Sequence, residues 1–520
     1  MPLIEVLLFL LLCAMALGWI ARRAGLPYPI ALVLGGGVLG FVPHLPQLQL
    51  DPQYLLVIVL PPILYQAALL TSWRDFKANL RPISLLAIGL VIVTTLAVGA
   101  ALKLLVPDIP WAAALVFGAI VSPPDAVAAT SILSKLSMPR RIVTVLEGES
   151  LVNDASGLVI YKFAVAASLA GGFSLFEASA QFVLISAGGI ALGFLLGFVF
   201  VRLHPHLGDP FIEVLLSLSV PYAAYVLAEG LDLSGVLAVV AAGLLRGRYS
   251  PAMVSAEMRI LARSVWNILV FILNSLIFIL IGLQLSGVIA RLKGYGAWDL
   301  AAYALAISMI AILVRFAWVY FAEYLPVWVA KARNRPAFQR PIPGEAFIVS
   351  WCGMRGIVSL AAALALPELL PEGNPFPYRD LIIFLTFIVI TVTLVVQGLT
   401  LETVIQRLML GGDPTAQEEE RQARLAMGRA AQAAIDAFGE REPAHPELRT
   451  RIREEYGDRL AAASPLADQP DSTHAFVGRI RSQAVRAQRE ALLRIWRDGG
   501  ISDEVLHHLE EELDYEESRL

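Results

Sequence analysis

The chain has 520 residues, of which 57% are hydrophobic and only 16% charged, and its mean hydropathy is +0.68. That balance excludes a disordered chain, a nucleic-acid binder and an ordinary soluble enzyme, because no globular core needs so many continuous apolar runs. The net charge of −4 is too small to imply a polyanionic partner, and Cys13 and Cys352 both lie inside apolar runs, where they are expected to be unpaired.

A window of about 19 residues gives thirteen candidate membrane spans, near 3–20, 28–43, 54–70, 83–105, 111–133, 147–170, 179–201, 211–229, 233–246, 264–290, 297–323, 344–366 and 380–403. The first is followed by Arg22-Arg23 and by no small-residue cleavage site, so it reads as a retained helix. Odd-numbered spans are followed by basic loops: Arg22-Arg23; Arg74, Lys77 and Arg81; Lys135, Arg140 and Arg141; Arg202; Arg246 and Arg248; Lys331, Arg333, Arg335 and Arg340. Even-numbered spans are followed by loops nearly free of Lys and Arg, apart from Arg291 and Lys293, while Arg379 borders the last span. This alternation predicts an N-terminus outside and a C-terminal tail in the cytoplasm.

The second and ninth spans are short and glycine-bearing, and the fifth and twelfth are interrupted, by Ser122-Pro123-Pro124-Asp125 and by Gly353-Met354-Arg355-Gly356. Both offsets are seven, as expected of two related halves inverted in the membrane. Paired interrupted helices of this kind are the best sequence pointer to a transporter's binding site. Proline removes backbone donors, and the freed carbonyls must face protein, water or an ion rather than lipid.

An ionised side chain at the centre of a membrane helix costs roughly 2.5–3.5 kcal/mol on insertion scales, so each one calls for a reason. The densest cluster opens the sixth span, Glu147-Gly148-Glu149-Ser150-Leu151-Val152-Asn153-Asp154. At helical spacing Ser150 and Asp154 share one face, and Glu149 and Asn153 the neighbouring one. Asp125 and Arg355 sit at the two breaks. Carboxylate, hydroxyl, amide and carbonyl oxygens suit a small hard cation, and a carboxyl group out of water holds its proton more tightly. A cation and a proton competing for Asp154 would couple their two fluxes. Simpler roles stand beside these: Glu149 and Arg355 as an ion pair holding helices together, and Asp125 as the cap of the half-helix after Pro124. Lys162 is expected to snorkel outward. Glu5, Lys103, Glu213, Glu229 and Arg315 are expected at span ends, Asn267 and Asn274 in interhelical hydrogen bonds, and the histidines in loops or in the tail.

At these residues the chain resembles the monovalent cation:proton antiporter superfamily, and within it the bacterial sodium–proton antiporters of the electroneutral branch. The matching stretches are Leu60-Pro61-Pro62-Ile63-Leu64, Ser122 to Ala128, Gly148 to Ala155, Phe271 to Leu285 and Gly353 to Leu360, in order over most of the first 410 residues. The resemblance implies an all-α polytopic fold of thirteen transmembrane helices in two inverted repeats with crossed interrupted helices. It implies a core (spans near 83–170 and 297–403) moving against a dimerisation scaffold (spans near 3–70 and 211–290). Asp154 would be the carboxylate that carries ion and proton, with Asp125 and Ser150 as further ligands of a monovalent cation and Glu149 paired with Arg355 near Asn153. The Asn153-Asp154 pair matches the electroneutral branch, for which one-for-one exchange is the simpler stoichiometry. Two departures stand out. Pro124-Asp125-Ala126 replaces a Thr-Asp-Pro found in many relatives, leaving Ser122 or Thr130 to supply a hydroxyl, and Gln66 stands where many relatives have an acid.

Beyond about residue 413 the chain is hydrophilic and free of lysine, with 15 Arg against 23 Asp and Glu. Helical stretches are predicted near 416–438, 446–463, 474–498 and 501–517. They form either a regulatory or dimer-stabilising domain, whose regulator the sequence does not identify, or a solvated appendage; the acidic balance argues against anionic lipid as its main partner. The reading as a whole is a homodimeric cell-membrane antiporter exchanging Na⁺, Li⁺ or K⁺ for H⁺, contacting membrane lipid and no nucleic acid, and using no cofactor beyond the transported ions. A cation channel and a sodium-coupled solute carrier of similar topology are the alternatives. An enzyme is not expected.

Overall fold

Backbone that leaves water must satisfy its own N–H and C=O groups, and apolar runs of this length do so as helices. In the computed structural model the described residues are 3–42, 52–133, 138–170, 175–253, 256–292, 294–332, 342–370, 374–408, 414–441 and 446–462, with Leu136 and short pieces between 483 and 513. Each of the thirteen intervals read from the sequence contains helix, broken at 122–125 in the fifth and at 352–356 in the twelfth. The first half holds α1 (Leu3–Ala24), α2 (Tyr28–Gly40), α3 (Pro52–Leu70), and the short α4 (Trp73–Ala78) and α5 (Leu80–Ser84). A π-helical stretch, Leu85–Leu90, leads into α6 (Val91–Leu105), followed by α7 (Trp111–Val121), α8 (Ala126–Leu133) and α9 (Arg140–Ala170). Next come α10 (Leu175–Leu203), α11 (Pro210–Glu229), α12 (Gly235–Met253), α13 (Ala256–Arg291) and α14 (Ala297–Ala332). The last elements of this part are α15 (Pro343–Trp351), α16 (Ile357–Leu364), α17 (Arg379–Val392), a second π-helical stretch at Thr393–Gln397, and α18 (Gly398–Leu408). Among the described residues the only extended pairing is a single bridge between Leu369 and Pro375. Among the described residues six helical stretches are long and apolar enough to cross a membrane, and three shorter apolar ones accompany them.

Lipid offers no hydrophobic drive between helices, so close approach through small residues takes over. A side chain at Gly36 of α2 would strike the carbonyl of Ile279, and one at Gly282 of α13 the carbonyl of Val33. Gly193 of α10 lies against the backbone of Ala238 in α12, and Gly118 of α7 against that of Thr95 in α6. One buried cluster joins α3 to α10–α13 through Tyr65, Ala224, Ala238 and Trp266. Another joins α6, α7, α14 and α17 through Val98, Phe117, Ile307 and Leu385. A third, with Leu90, Phe278, Met354 and Ile390, brings α13 against the break between α15 and α16.

The chain forms two compact units, Met1–Gly412 and Asp413–Leu520. In the second, α19 (Pro414–Arg441) packs on α20 (Pro446–Ala462), and pairs such as Glu420 with Arg424 run along its exposed face. Most of the helices expected near 474–498 and 501–517 lies outside the described residues.

Candidate ion-binding site

Pro123 and Pro124 carry no N–H, so α7 stops at Val121 and α8 starts afresh at Ala126. The corresponding break separates α15 from α16 at Cys352 to Gly356. The two gaps meet, with the Asp125 N–H donating to the Met354 carbonyl at 2.7 Å. The Asp125 carboxylate closes both restarted helices: Oδ1 accepts from the Val127 N–H at 2.8 Å and Oδ2 from the Ile357 N–H at 3.3 Å. One negative group thus faces the partial positive ends of α8 and α16. Only glycine fits at position 356, because any Cβ there would collide with that carboxylate. Arg355 does the converse at the other two ends. Its Nε donates to the Val121 carbonyl and its Nη1 to the Gly353 carbonyl, both at 2.6 Å, so a guanidinium lies where α7 and α15 finish. The Arg355 N–H donates to Thr393 Oγ1 at 3.1 Å, inside the second π-helical stretch, a distortion that often marks functional sites.

Helix α9 runs past this crossing and presents two faces. On one, Asn153 Nδ2 donates to the Pro124 carbonyl at 2.8 Å, satisfying a group freed by the break. On the same side Glu149 forms a fully buried bidentate pair with Arg315 of α14, at 2.6 and 2.9 Å, and Arg315 also donates to the Val349 carbonyl near the end of α15. On the other face Glu147, Ser150, Leu151 and Asp154 line a cavity of about 250 Å³. Gln66 of α3, Asp125, Thr130 of α8, Asn274 of α13 and Ser359 of α16 complete its described polar lining, in which there is no Lys, Arg or His among the described residues. Asp154 is only 7% exposed, yet its carboxylate takes no hydrogen bond from a described residue. Asn274 Oδ1 and Ser359 Oγ are buried without a hydrogen-bond partner among the described residues as well. A water takes about 30 Å³ of liquid volume, so the space admits a small cation with several waters. Carboxylate, hydroxyl and amide oxygens are what such an ion prefers.

The sequence matches the family description "Sodium/hydrogen exchanger, transmembrane" over residues 7–407. The chain belongs to the sodium/hydrogen exchanger family. It is 36% identical over 507 residues to an uncharacterized Na⁺/H⁺ exchanger of Mycobacterium tuberculosis, covering 95% of this chain and 91% of the relative. It is 37% identical over 389 residues to the sodium, potassium, lithium and rubidium/H⁺ antiporter of Bacillus pumilus, covering 72% of this chain and 57% of the relative. The solved structure of the sodium proton antiporter MjNhaP1 from Methanocaldococcus jannaschii superposes with a TM-score of 0.64 at 18% identity, over 78% of this chain and 98% of that one. An all-helical polytopic membrane protein of this family is a secondary transporter and not an enzyme.

Against that family background, the cavity brings together Asp154, Asp125, Ser150, Thr130 and Gln66, whereas Ser122 points elsewhere. The Ser122 hydroxyl donates back to the Ala119 carbonyl at 2.9 Å, so of the two hydroxyl candidates Thr130 is the one that lines the space. Gln66 Nε2 donates to Asn267 Oδ1 at 3.0 Å, linking α3 to α13. The expected ion pair between Glu149 and Arg355 is corrected: Glu149 pairs with Arg315, while Arg355 serves the two helix C-termini. Arg315, expected at a span end, is 1% exposed, because α14 is 36 residues long and places it mid-helix. His204 lies, as expected, in the connection between α10 and α11, in a short 3₁₀ turn, but it is buried there, 3.3 Å from Glu213. Lys162 reaches Glu229 at 2.9 Å with its side chain 58% exposed. Glu147 carried no role in the sequence reading, although positions 147, 150, 151 and 154 share the spacing of a single helix face.

Proposed function

We propose that the protein exchanges a monovalent cation, Na⁺ or its neighbours Li⁺ and K⁺, for H⁺ across the cell membrane by alternating access, with both ions competing for Asp154. The observation that carries this reading is a buried carboxylate to which no described residue donates a hydrogen bond, facing a cavity of about 250 Å³ whose described lining holds no basic side chain. Such a group binds either a proton or a hard cation, and loading one expels the other. Ser150 and Thr130 supply hydroxyl oxygens beside it. Asp125 offers its remaining lone pairs while staying anchored to the ends of α8 and α16. The second position of the pair is Asn153 rather than a second acid, which favours one proton per cation and electroneutral exchange. The names of the relatives support cation/proton antiport, and that of the Bacillus pumilus relative supports breadth among alkali ions. The protein acts as a homodimer with its N-terminus outside and its tail in the cytoplasm; a scaffold of α1–α3 and α11–α13 stays fixed while the crossed helices move.

The test is cation-induced collapse of an imposed pH gradient in proteoliposomes. Wild type is expected to respond to Na⁺, and Asp154→Asn to show no cation-dependent proton movement while remaining folded. Full-rate coupled exchange in that variant would remove the mechanism. Cation flux without counter-moving protons in the wild type would point to a channel instead.

A further inference from the structure

Glu147 has no place in the ion-carrying set, yet it lines the same cavity as Asp154 from the same helix face. Seven residues of α-helix separate the two, a rise of about 10 Å. Gly148, next to it in the chain, packs on Phe76 and Ile83 of the segment after α3, whose last residue, Leu70, also lines the cavity. Asp154 lies instead with Pro123, Asp125 and Gly356 at the crossing of the broken helices. Glu147 therefore occupies the outer part of the cavity and Asp154 its floor.

The charge balance of this space is unusual. Asp125 is compensated by two helix N-termini and Glu149 by Arg315, on the far face of α9. Glu147 has no ion-pair partner among the described residues. Of the two arginines that open α9, Arg141 is already held by Glu323 and Glu345 at 3.1 Å each, and Arg140, seven residues before Glu147, is engaged as well. The described residues of the lining contribute no cation. An acid left uncompensated in the vestibule of a cation site lowers the potential along the route to it, and low-dielectric walls focus that field.

We infer that Glu147 is a cation-recruiting residue, which raises the local concentration of the transported ion at the outer end of the cavity and hands it to Asp154. This rests on the cation/proton reading above and adds a second carboxylate with a separate task. Recruitment acts on capture and not on the competition at the floor, so it shows in apparent affinity rather than in maximal rate. It acts from one side of the membrane only, the side to which the cavity opens, and it weakens as salt screens the charge.

The experiment measures the Na⁺ dependence of exchange in oriented proteoliposomes, for wild type, Glu147→Gln and Glu147→Asp, with Na⁺ on either face. One unit charge at about 10 Å changes capture by about 2- to 15-fold for effective dielectrics between water and a protein boundary. Glu147→Gln is expected to raise KM for Na⁺ on one face by about threefold to tenfold, with KM on the other face and the maximal rate within twofold of wild type. Glu147→Asp is expected to restore most of the affinity. Adding choline chloride is expected to raise the wild-type KM on that face and to narrow the gap to Glu147→Gln. An unchanged KM on both faces, or a loss of maximal rate alone, would overturn the inference. Because Asp154→Asn is measured alongside, an inactive Asp154→Asn with a wild-type-like Glu147→Gln would remove only the recruiting role; a coupled Asp154→Asn would remove the mechanism beneath it.

Discussion

At the scale of single residues, four charged groups divide the labour around the broken helices. Asp125 answers two helix N-termini, Arg355 answers two C-termini, and Glu149 and Arg315 neutralise each other. That leaves Asp154 as the buried acid free to bind an ion. Removing one partner of a buried pair strands the other charge, typically at about 3–5 kcal/mol. Arg315→Met is therefore expected to lower the melting temperature of the detergent-solubilised protein by that order of stability. The double variant Arg315→Met with Glu149→Leu is expected to regain most of it; no recovery would mean that Arg315 acts chiefly through the Val349 carbonyl. The sequence was legible as far as the residue types at the site, because intramembrane charges are rare enough to notice. Partner choice was not legible. Arg315 and Arg355 both offered a guanidinium, and the hydropathy window ended near residue 323, whereas α14 continues to Ala332. A helix that outruns its apolar stretch moves a residue from the apparent end to the middle.

At the scale of helices, glycine decides which pairs come close. The short glycine-bearing segments were visible in the sequence, but their partners were not, since contact across helices depends on rotation about each axis. Gly193 belongs to a row with Gly189 and Gly197 on α10 that meets Ser234, just before α12, and Ala238 and Ala242 within it. Adding a side chain in the middle of that row pushes two backbones apart, and overpacking of this kind costs about 1–3 kcal/mol or more. Gly193→Val is expected to destabilise the protein by at least that much in thermal unfolding. Gly287 of α13 has no neighbouring heavy atom within 4 Å of an added Cβ. Gly287→Ala is expected to be neutral or to gain up to about 1 kcal/mol from helix propensity. Equal effects of the two substitutions would mean that packing of α10 on α12 contributes little. The crossed breaks follow a different logic. The proline pair and the glycine pair announced them in the sequence, and the spacing of seven spans between them gave the expectation that they meet. The register of that meeting, Asp125 against Met354 and Ile357, came only from the structure.

At the scale of the whole membrane unit, the polar space is one-ended. The cavity with Asp154 reaches Leu70 and Glu147, whereas beyond the crossing a gap of only about 20 Å³ separates α13 from α16. Gln284 is the one polar side chain among the residues around that gap, which otherwise presents Ile281, Leu360, Leu364 and similar groups. A site reached from one end and sealed at the other is one half of an alternating-access cycle. Which half depends on orientation, and the basic loops supply the argument. The segment after α3 carries Arg74, Lys77 and Arg81, and basic loops stay on the cytoplasmic side. The open end of the cavity lies toward that segment, so with the orientation expected from the loops it would face the cytoplasm. Single cysteines test this directly in a background with Cys13 and Cys352 replaced. Lys77 is exposed on α4, and Trp298, 88% exposed at the start of α14, follows the loop after an even-numbered span. Lys77→Cys is expected to react with a membrane-impermeant thiol reagent only when the cytoplasmic face is accessible, and Trp298→Cys only from outside. Both reacting from one face would break the span parity, and with it the inward assignment, while leaving the chemistry at Asp154 to stand or fall on its own measurement.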